Sequence, residues 1–220
     1  CCIVGMIMEN NIKLKYILIS LFIFVIIPLF ILSLQTLPPR TLLKESTSVL
    51  VIVGFFFLLG QFYLNRSNKF FVKIYKMFKI IKLHKIIGYT VIAIFFIHPF
   101  LIVLPRFFEA GVDPIYAFWL MITDFKSLGI IFGLIAWCVM IALLLTSFYK
   151  DKLNMTYVKW RVLHIVLSIV FVAAGLWHVI DLGRHMNEFM IFFIFLLICM
   201  AVYLLSKLYF FKNEKVGKVL

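Results

Sequence analysis

Four histidines in this chain form two pairs with the same spacing. His84 and His98 are 14 residues apart, and so are His164 and His178; each pair lies in an apolar stretch long enough to cross a bilayer. In an α-helix, 14 residues return to within about 40° of the starting face and rise roughly 21 Å. Each pair is therefore predicted to lie along one stripe of one helix, with its two members near opposite membrane surfaces.

The chemistry that imidazoles at this spacing could perform is metal ligation. An imidazole in hydrocarbon is costly without a partner, so two helices with matched pairs predict a group shared between them. Two haems, each bound by one histidine from each helix, would use all four side chains. Because the sequence contains no CxxCH attachment motif, these would be non-covalently held b-type haems. The alternative of another class is a non-redox protein that conducts protons or metal ions through the same histidines.

The composition is that of a membrane protein. Hydrophobic residues make up 65% of the chain and charged residues 14%, against about 25% charged residues in soluble domains. The net charge of +13 would suit a nucleic-acid partner, but the basic residues cluster at the ends of apolar runs, which is how membrane topology is encoded. We therefore expect contact with membrane lipid and no nucleic-acid partner.

Six apolar runs predict the elements that carry the histidines. The fold class is all-α, an integral membrane six-helix transmembrane bundle. The predicted spans are about 14–36, 46–65, 84–104, 125–148, 159–180 and 188–207. The corresponding domains are a cytoplasmic N-terminal segment at 1–13, a transmembrane di-haem domain at 14–207 and a short cytoplasmic tail at 208–220.

Basic residues predict the orientation of these spans. The segment 66–85 contains seven Lys and Arg residues and no acidic residue, which indicates a cytoplasmic loop. Both termini are then cytoplasmic in a multi-pass protein of the plasma membrane, and 17 of the 22 Lys and Arg residues lie inside. The third and fifth spans run in parallel, so His84 and His164 share the inner level and His98 and His178 the outer level. Antiparallel helices would instead pair His84 with His178, which the loop charges do not support.

Small residues next to the histidines would leave room for a flat macrocycle. Gly88 follows His84 by one helical turn, and Gly175 precedes His178 by one turn. Small residues also serve ordinary packing between membrane helices, so the two interpretations stand side by side.

Cations near the two predicted histidine levels are candidates to hold haem propionates. Arg161 is the main candidate at the inner level. The others are Lys82, Lys85 and Lys159 at the inner face and Arg106 and Arg184 at the outer face. The alternative is that they encode topology or reach the interface as snorkelling side chains. His185 follows the fifth span and is interpreted as a solvated loop histidine, with a place beside the outer haem or the substrate as the alternative.

Two segments carry a resemblance to a known family. Residues 83–99, LHKIIGYTVIAIFFIHP, and residues 160–164, WRVLH, followed by His178, resemble the third- and fifth-span signatures of the ferric reductase-like transmembrane domain family. The similarity covers roughly residues 45–205. The family includes metalloreductases, NADPH oxidases and the MsrQ haem subunit of the methionine sulfoxide reductase system. The resemblance implies two b-type haems that pass electrons across the membrane.

Larger members of that family continue into flavin- and nucleotide-binding domains. This chain ends at Leu220 and has no GxGxxG-type loop, so we expect no FAD/NAD(P) domain in it. Electrons would come from a soluble flavoprotein carrying FAD or FMN, or from quinol, and would leave to an extracytoplasmic metal or protein acceptor. A start at Cys1 instead of Met leaves a fragment of a longer reductase as another interpretation. An MsrQ-like role is the alternative function, although MsrQ-like chains have arginine near the position of His84.

Overall fold

The structure is a computed structural model that describes residues 2–65, 68–108, 111, 113–123, 125 and 127–209. Within these ranges the side chains of 2–10, 70, 106, 208 and 209 are not described. The predicted tail at 208–220 lies outside the described residues from position 210 onward.

Helices account for nearly all of the described residues, which contain no strand. They are α1 (Cys2–Leu21), α2 (Ile27–Ser33), α3 (Leu42–Gly60), α4 (Lys69–Ile74), α5 (Met77–Val103), α6 (Pro114–Thr123), α7 (Leu128–Phe148), α8 (Tyr157–Leu182) and α9 (Glu188–Tyr209). The segments long and apolar enough to cross a membrane are Asn11–Ser33, Leu42–Tyr63, Met77–Val103, Leu128–Phe148, Tyr157–Leu182 and Glu188–Lys207. The predicted fold class, an all-α membrane protein with six spans, is confirmed.

Two segments predicted as loops are partly helical. The basic segment 66–85 contains α4 and the first turns of α5, which begins at Met77 and not at the predicted position 84. Lysine is a good helix former, and its long aliphatic stem can lie along an apolar surface. A helix can therefore continue through a run of lysines. The predicted loop between the third and fourth spans contains the short apolar helix α6.

Two prolines mark irregular positions in membrane-spanning helices. A π-helical turn, Phe22–Ile26, separates α1 from α2, and Pro28 follows it in the first turn of α2. Pro28 has no N–H to donate to the carbonyl one turn earlier. The wider π-turn before it accommodates this missing hydrogen bond. Pro99 lies inside α5, directly after His98, so the backbone next to this histidine also lacks one helical hydrogen bond.

The first of two compact units comprises residues 1–38, 52–91 and 187–220. Its described core includes Phe56 and Met190, each 0% exposed. The Phe56 ring stacks on Phe193 with 5.7 Å between centroids. The Tyr63 hydroxyl donates a hydrogen bond to the Leu197 carbonyl at 2.7 Å, which ties the end of the second span to α9.

The second compact unit comprises residues 39–51 and 92–186 and contains three of the four histidines that form the two pairs: His98, His164 and His178. Antiparallel α7 and α8 form its centre, with Met140 and Ala174 buried. The later part of α5 contributes Phe96, whose ring stacks on Trp137 of α7 at 5.3 Å. This unit positions the candidate site.

Candidate functional site

The α7–α8 hairpin holds one histidine near each of its ends. We call the start of α7 with the end of α8 the His178 end, and the end of α7 with the start of α8 the His164 end. Each histidine lies on α8 and finds its hydrogen-bond partner on α7.

His178 is oriented by the backbone of α7. Its Nδ1 lies 2.8 Å from the carbonyl oxygen of Gly129. A carbonyl can only accept, so Nδ1 carries the hydrogen and donates it. The neutral ring then has its lone pair on Nε2, which is the form in which histidine binds a metal.

A carboxylate fastens the same end of the hairpin. Asp181 lies three residues after His178 on α8, and its Oδ2 accepts hydrogen bonds from the Gly129 N–H at 2.8 Å and the Ser127 hydroxyl at 2.9 Å. Ser127 is also the N-cap residue of α7. The carboxylate therefore lies against the first amides of α7, where the helix dipole favours negative charge.

Two glycines of α7 make these contacts possible. A Cβ added at Gly129 would lie 2.5 Å from Asp181 Oδ2, and a Cβ added at Gly133 would lie 2.5 Å from His178 Nδ1. Both distances are far shorter than van der Waals contact. Glycine at these two positions, one turn apart on one face of α7, lets α8 approach closely enough for the hydrogen bonds to form.

His98 lies beside His178 in the second unit. The two imidazole centroids are 6.3 Å apart, with the ring planes at 79°. The next aromatic pair toward the helix starts joins Phe95 to Phe171, at 6.2 Å. Across the two pairs, the lower-numbered residue of α5 faces the lower-numbered residue of α8, and the higher-numbered residue faces the higher-numbered one. These parts of α5 and α8 therefore run parallel. His178 is therefore beside His98, as the parallel arrangement predicts.

The separation of the two rings fits a haem iron between them. Metal–imidazole nitrogen bonds are about 2 Å long and each ring centre lies about 1 Å beyond its nitrogen, so two axial imidazoles need centroids roughly 6 Å apart. The Nδ1 of His98 is buried and has no hydrogen-bond partner in the described part of the chain. No group of three His, Cys, Asp or Glu side chains that could hold a metal occurs among the described residues. A haem iron needs only two protein ligands, because the porphyrin supplies the others.

The His164 end has a different set of contacts. The His164 Nδ1 lies 3.3 Å from the Ser147 hydroxyl, and the Trp160 ring stacks on the imidazole at 5.3 Å. The Trp160 Nε1 donates to the Thr146 carbonyl at 2.9 Å, which holds the indole in place. The imidazole is therefore held between a hydroxyl and an aromatic face.

Comparison with known proteins shows the family of the chain. Residues 50–175 match the family described as ferric reductase like transmembrane component. The chain belongs to this family. An uncharacterized protein from Archaeoglobus fulgidus (strain ATCC 49558 / DSM 4304 / JCM 9628 / NBRC 100126 / VC-16) is 35% identical over 169 residues, which cover 77% of this chain and 92% of that protein. No solved structure matches the chain.

The remaining histidine of the ferric reductase-like pattern, His84, lies on α5 in the first compact unit. Its predicted pairing with His164 stays a prediction. Arg161 is half-buried in the first turns of α8, whereas Lys82, Lys85 and Lys159 are exposed. Arg184 is half-buried, and the side chain of Arg106 lies outside the described residues.

Gly88 and Gly175 have open space around them. A Cβ at either position would meet no atom of a neighbouring element within 4 Å. Contacts within the described chain therefore do not require glycine there, in contrast to Gly129 and Gly133. The interpretation that a flat group lies beside either glycine stays a prediction.

His185 is not a solvated loop residue. It is 3% exposed, and its Nε2 lies 3.2 Å from Glu45 Oε1. Burial lowers the pKa of His185, as does the nearby Arg40, while Glu45 raises it. The interpretation as a solvated histidine was wrong because the ring is buried with Glu45, in the first turn of α3, against it, and no pattern in the sequence reveals that contact.

Sequence reasoning missed the residues of α7 that orient the histidines. Gly129 and Gly133 are four residues apart and therefore share a helix face, which was the available signal. Asp181 is three residues from His178 and shares its face of α8, but it was assigned to a loop. No role was predicted for Ser147.

Proposed function

We propose that this ferric reductase-like chain carries electrons across the membrane by holding two b-type haems, from a donor on the cytoplasmic side to an acceptor on the extracytoplasmic side. The observation that carries the proposal is the 6.3 Å separation of the His98 and His178 rings, with His178 fixed in the tautomer that leaves Nε2 for a metal. Family membership independently supports transmembrane electron transfer.

Histidines of the chain would hold the haem irons, and other residues would support these histidines. A haem bound by two imidazoles supplies a one-electron couple without a vacant coordination position. His98 and His178 would hold the outer haem, and the Gly129 carbonyl prevents rotation of the His178 ring. A neutral imidazole held in this way needs little rearrangement to bind a metal.

The second haem is proposed from the sequence repeat. His84 precedes His98 by the same 14 residues that separate His164 from His178. The Ser147 hydroxyl lies 3.3 Å from the Nδ1 of His164, and when its oxygen accepts the Nδ1–H, Nε2 would be the ligand atom here too. Arg161, three residues before His164, is the candidate partner for a propionate.

The donor is proposed to be a soluble flavoprotein carrying FAD or FMN, or a quinol. Lys150 and Lys152 follow α7 and Lys159 begins α8, so cations collect at the His164 end. Such a surface suits an acidic protein partner whose association depends on ionic strength. The acceptor would be an extracytoplasmic metal or protein, and the chain would be one component of an oxidoreductase.

The deciding experiment is a haem measurement on the purified protein. Reduced-minus-oxidised spectra should show b-type haem bands, and a pyridine haemochrome assay should return about two haems per chain. A value near one in fully loaded protein would favour the MsrQ-like alternative. The absence of haem after expression with haem supplementation would reject the redox proposal and favour a histidine relay for protons or metal ions.

A further inference from the structure

We infer that Asp181 is a positioning residue that sets the reduction potential of the haem held by His98 and His178. The inference rests on the proposed function, because it requires a haem at that position. Nothing in the family resemblance assigns a role to Asp181, Ser127 or Gly129.

One residue of α7 connects the carboxylate to the ligand. Gly129 donates its N–H to Asp181 Oδ2 at 2.8 Å and accepts the Nδ1–H of His178 on its carbonyl at 2.8 Å. His178 and Asp181 are three residues apart and therefore share one face of α8. A movement of Asp181 away from Gly129 would shift the same backbone segment that fixes the imidazole.

The carboxylate also acts through its charge. A haem iron carries one more positive charge when oxidised than when reduced, so a nearby negative charge stabilises the oxidised form and lowers the reduction potential. The Ser127 hydroxyl and the first amides of α7 oppose this effect, because they donate toward the carboxylate. Asp181 is also exposed to solvent, which weakens its influence further.

The sharpest variant is Asp181→Asn. It keeps the size of the side chain and an oxygen that accepts hydrogen bonds, but it removes the charge. In a potentiometric titration of the purified holoprotein, the haem component that His178→Ala removes should become easier to reduce. The expected change in its reduction equilibrium is about three- to tenfold, or ~30–60 mV for a one-electron couple, with the other haem unchanged.

Asp113→Asn is the matched control. Asp113 also lies at a helix start, where its Oδ1 accepts from the Ile115 N–H at 2.8 Å and the Tyr116 N–H at 3.3 Å in front of α6. It caps a helix without holding a histidine. The control should leave both haem potentials where they are in the unmodified protein.

A second variant predicts a shift of opposite sign. Ser127→Ala removes a donor from the carboxylate and leaves the charge, so the same haem should become harder to reduce, with an altered low-spin EPR signal. A merely structural role would lower stability in both variants without moving the potential in opposite directions. If Asp181→Asn does not fold, a downward shift in Ser127→Ala supports the inference, and an unchanged potential there overturns it.

Three results would contradict the inference while leaving the proposed function intact. They are an unchanged potential in Asp181→Asn protein that retains both haems, an equal shift of both haems, and an equal shift in Asp113→Asn. A wild-type protein without haem would instead reject the proposed function itself, so the two failures are distinguishable.

Discussion

The two ends of the α7–α8 hairpin orient their histidines by different means. At the His178 end the hydrogen-bond partner is the Gly129 carbonyl at 2.8 Å. Gly129 and Gly133 allow α8 to approach closely, and the Asp181 carboxylate accepts from the Gly129 N–H. At the His164 end the partner is a rotatable hydroxyl at 3.3 Å, and an indole ring lies on the imidazole. A helix carbonyl is fixed by its neighbours, whereas a serine hydroxyl turns about one bond.

This difference indicates which end tolerates change. The His178 end depends on contacts that an extra methyl group would break, so its geometry is strict and its electrostatics include a nearby charge. The His164 end depends on a weak hydrogen bond and a ring contact, and loss of one leaves the other. We expect substitutions to have larger effects at the His178 end.

The largest effect should follow from removal of a ligand. His178→Ala and His164→Ala should each remove one haem component from the spectrum and leave the other, because the proposed ligand sets do not overlap. Haem content measured against protein should fall to about half in each variant. If both substitutions removed the same spectral component, the proposed assignment of one haem to each end would be wrong.

The next largest effect should follow from the addition of one methyl group at Gly133. Gly133→Ala places a Cβ against His178, which must rotate away from the Gly129 carbonyl. Overpacking of this kind costs about 1–3 kcal/mol, so haem affinity at the His178 end should fall by roughly 5- to 150-fold. Haem titration of the haem-free protein measures the change.

Gly175→Ala is the contrasting variant. The same methyl group meets no atom of a neighbouring element within 4 Å, and alanine favours a helix more than glycine does, so the thermal unfolding midpoint of the haem-free protein should not fall below the wild-type value. A lower haem affinity in this variant would place the macrocycle beside Gly175. Equal destabilisation of haem-free Gly133→Ala and Gly175→Ala would remove the distinction between glycines that packing requires and glycines that it does not.

Most of the fold could be predicted because it depends on local patterns. Hydrophobic run length predicted the six spans, and the loop charges favoured the parallel arrangement in which His98 lies beside His178; the two rings are 6.3 Å apart. The start of α5 and the helix α6 were missed, because lysine-rich segments and short apolar segments carry no strong helix boundary.

The supports of the candidate site could not be predicted in the same way. The contacts of Asp181 with Gly129 and of His185 with Glu45 join residues far apart in the chain, and a single sequence does not reveal such pairs. Burial of His185 depends on where α3 begins in relation to the loop after α8. These are properties of tertiary packing, to which helical periodicity is blind.

The contact of the buried His185 ring with Glu45 predicts a pH dependence. Burial lowers the pKa of His185 below its ordinary value of 6.5, against the influence of Glu45. Between that lowered pKa and 6.5 the unfolded chain binds a proton that the folded chain does not, so stability should fall as the pH drops below about 6.5. Thermal unfolding in detergent at pH 7.5 and 5.5 measures this fall.

Two variants give the sign of this effect. His185→Gln should reduce the difference in unfolding midpoint between the two pH values. Glu45→Gln should enlarge it, because removal of the carboxylate lowers the pKa of His185 further; Arg40 is the other charged group that acts on this ring. A wild-type pH dependence in His185→Gln would show that the loss of stability arises elsewhere.

The smallest effect should come from Ser147→Ala at the His164 end. The 3.3 Å distance between Ser147 Oγ and His164 Nδ1 lies beyond the usual range of about 2.7–3.2 Å, so little stabilisation is lost with the hydroxyl. The stacked Trp160 ring still limits rotation of the imidazole. The reduction equilibrium of the haem that His164→Ala removes should therefore change less than threefold, under ~30 mV for one electron.

Ser147→Thr keeps a hydroxyl and serves as the control. A shift in Ser147→Ala that exceeds the shift in Asp181→Asn would reverse the order of the two ends, and the weaker hydrogen bond would then be the one that controls its haem.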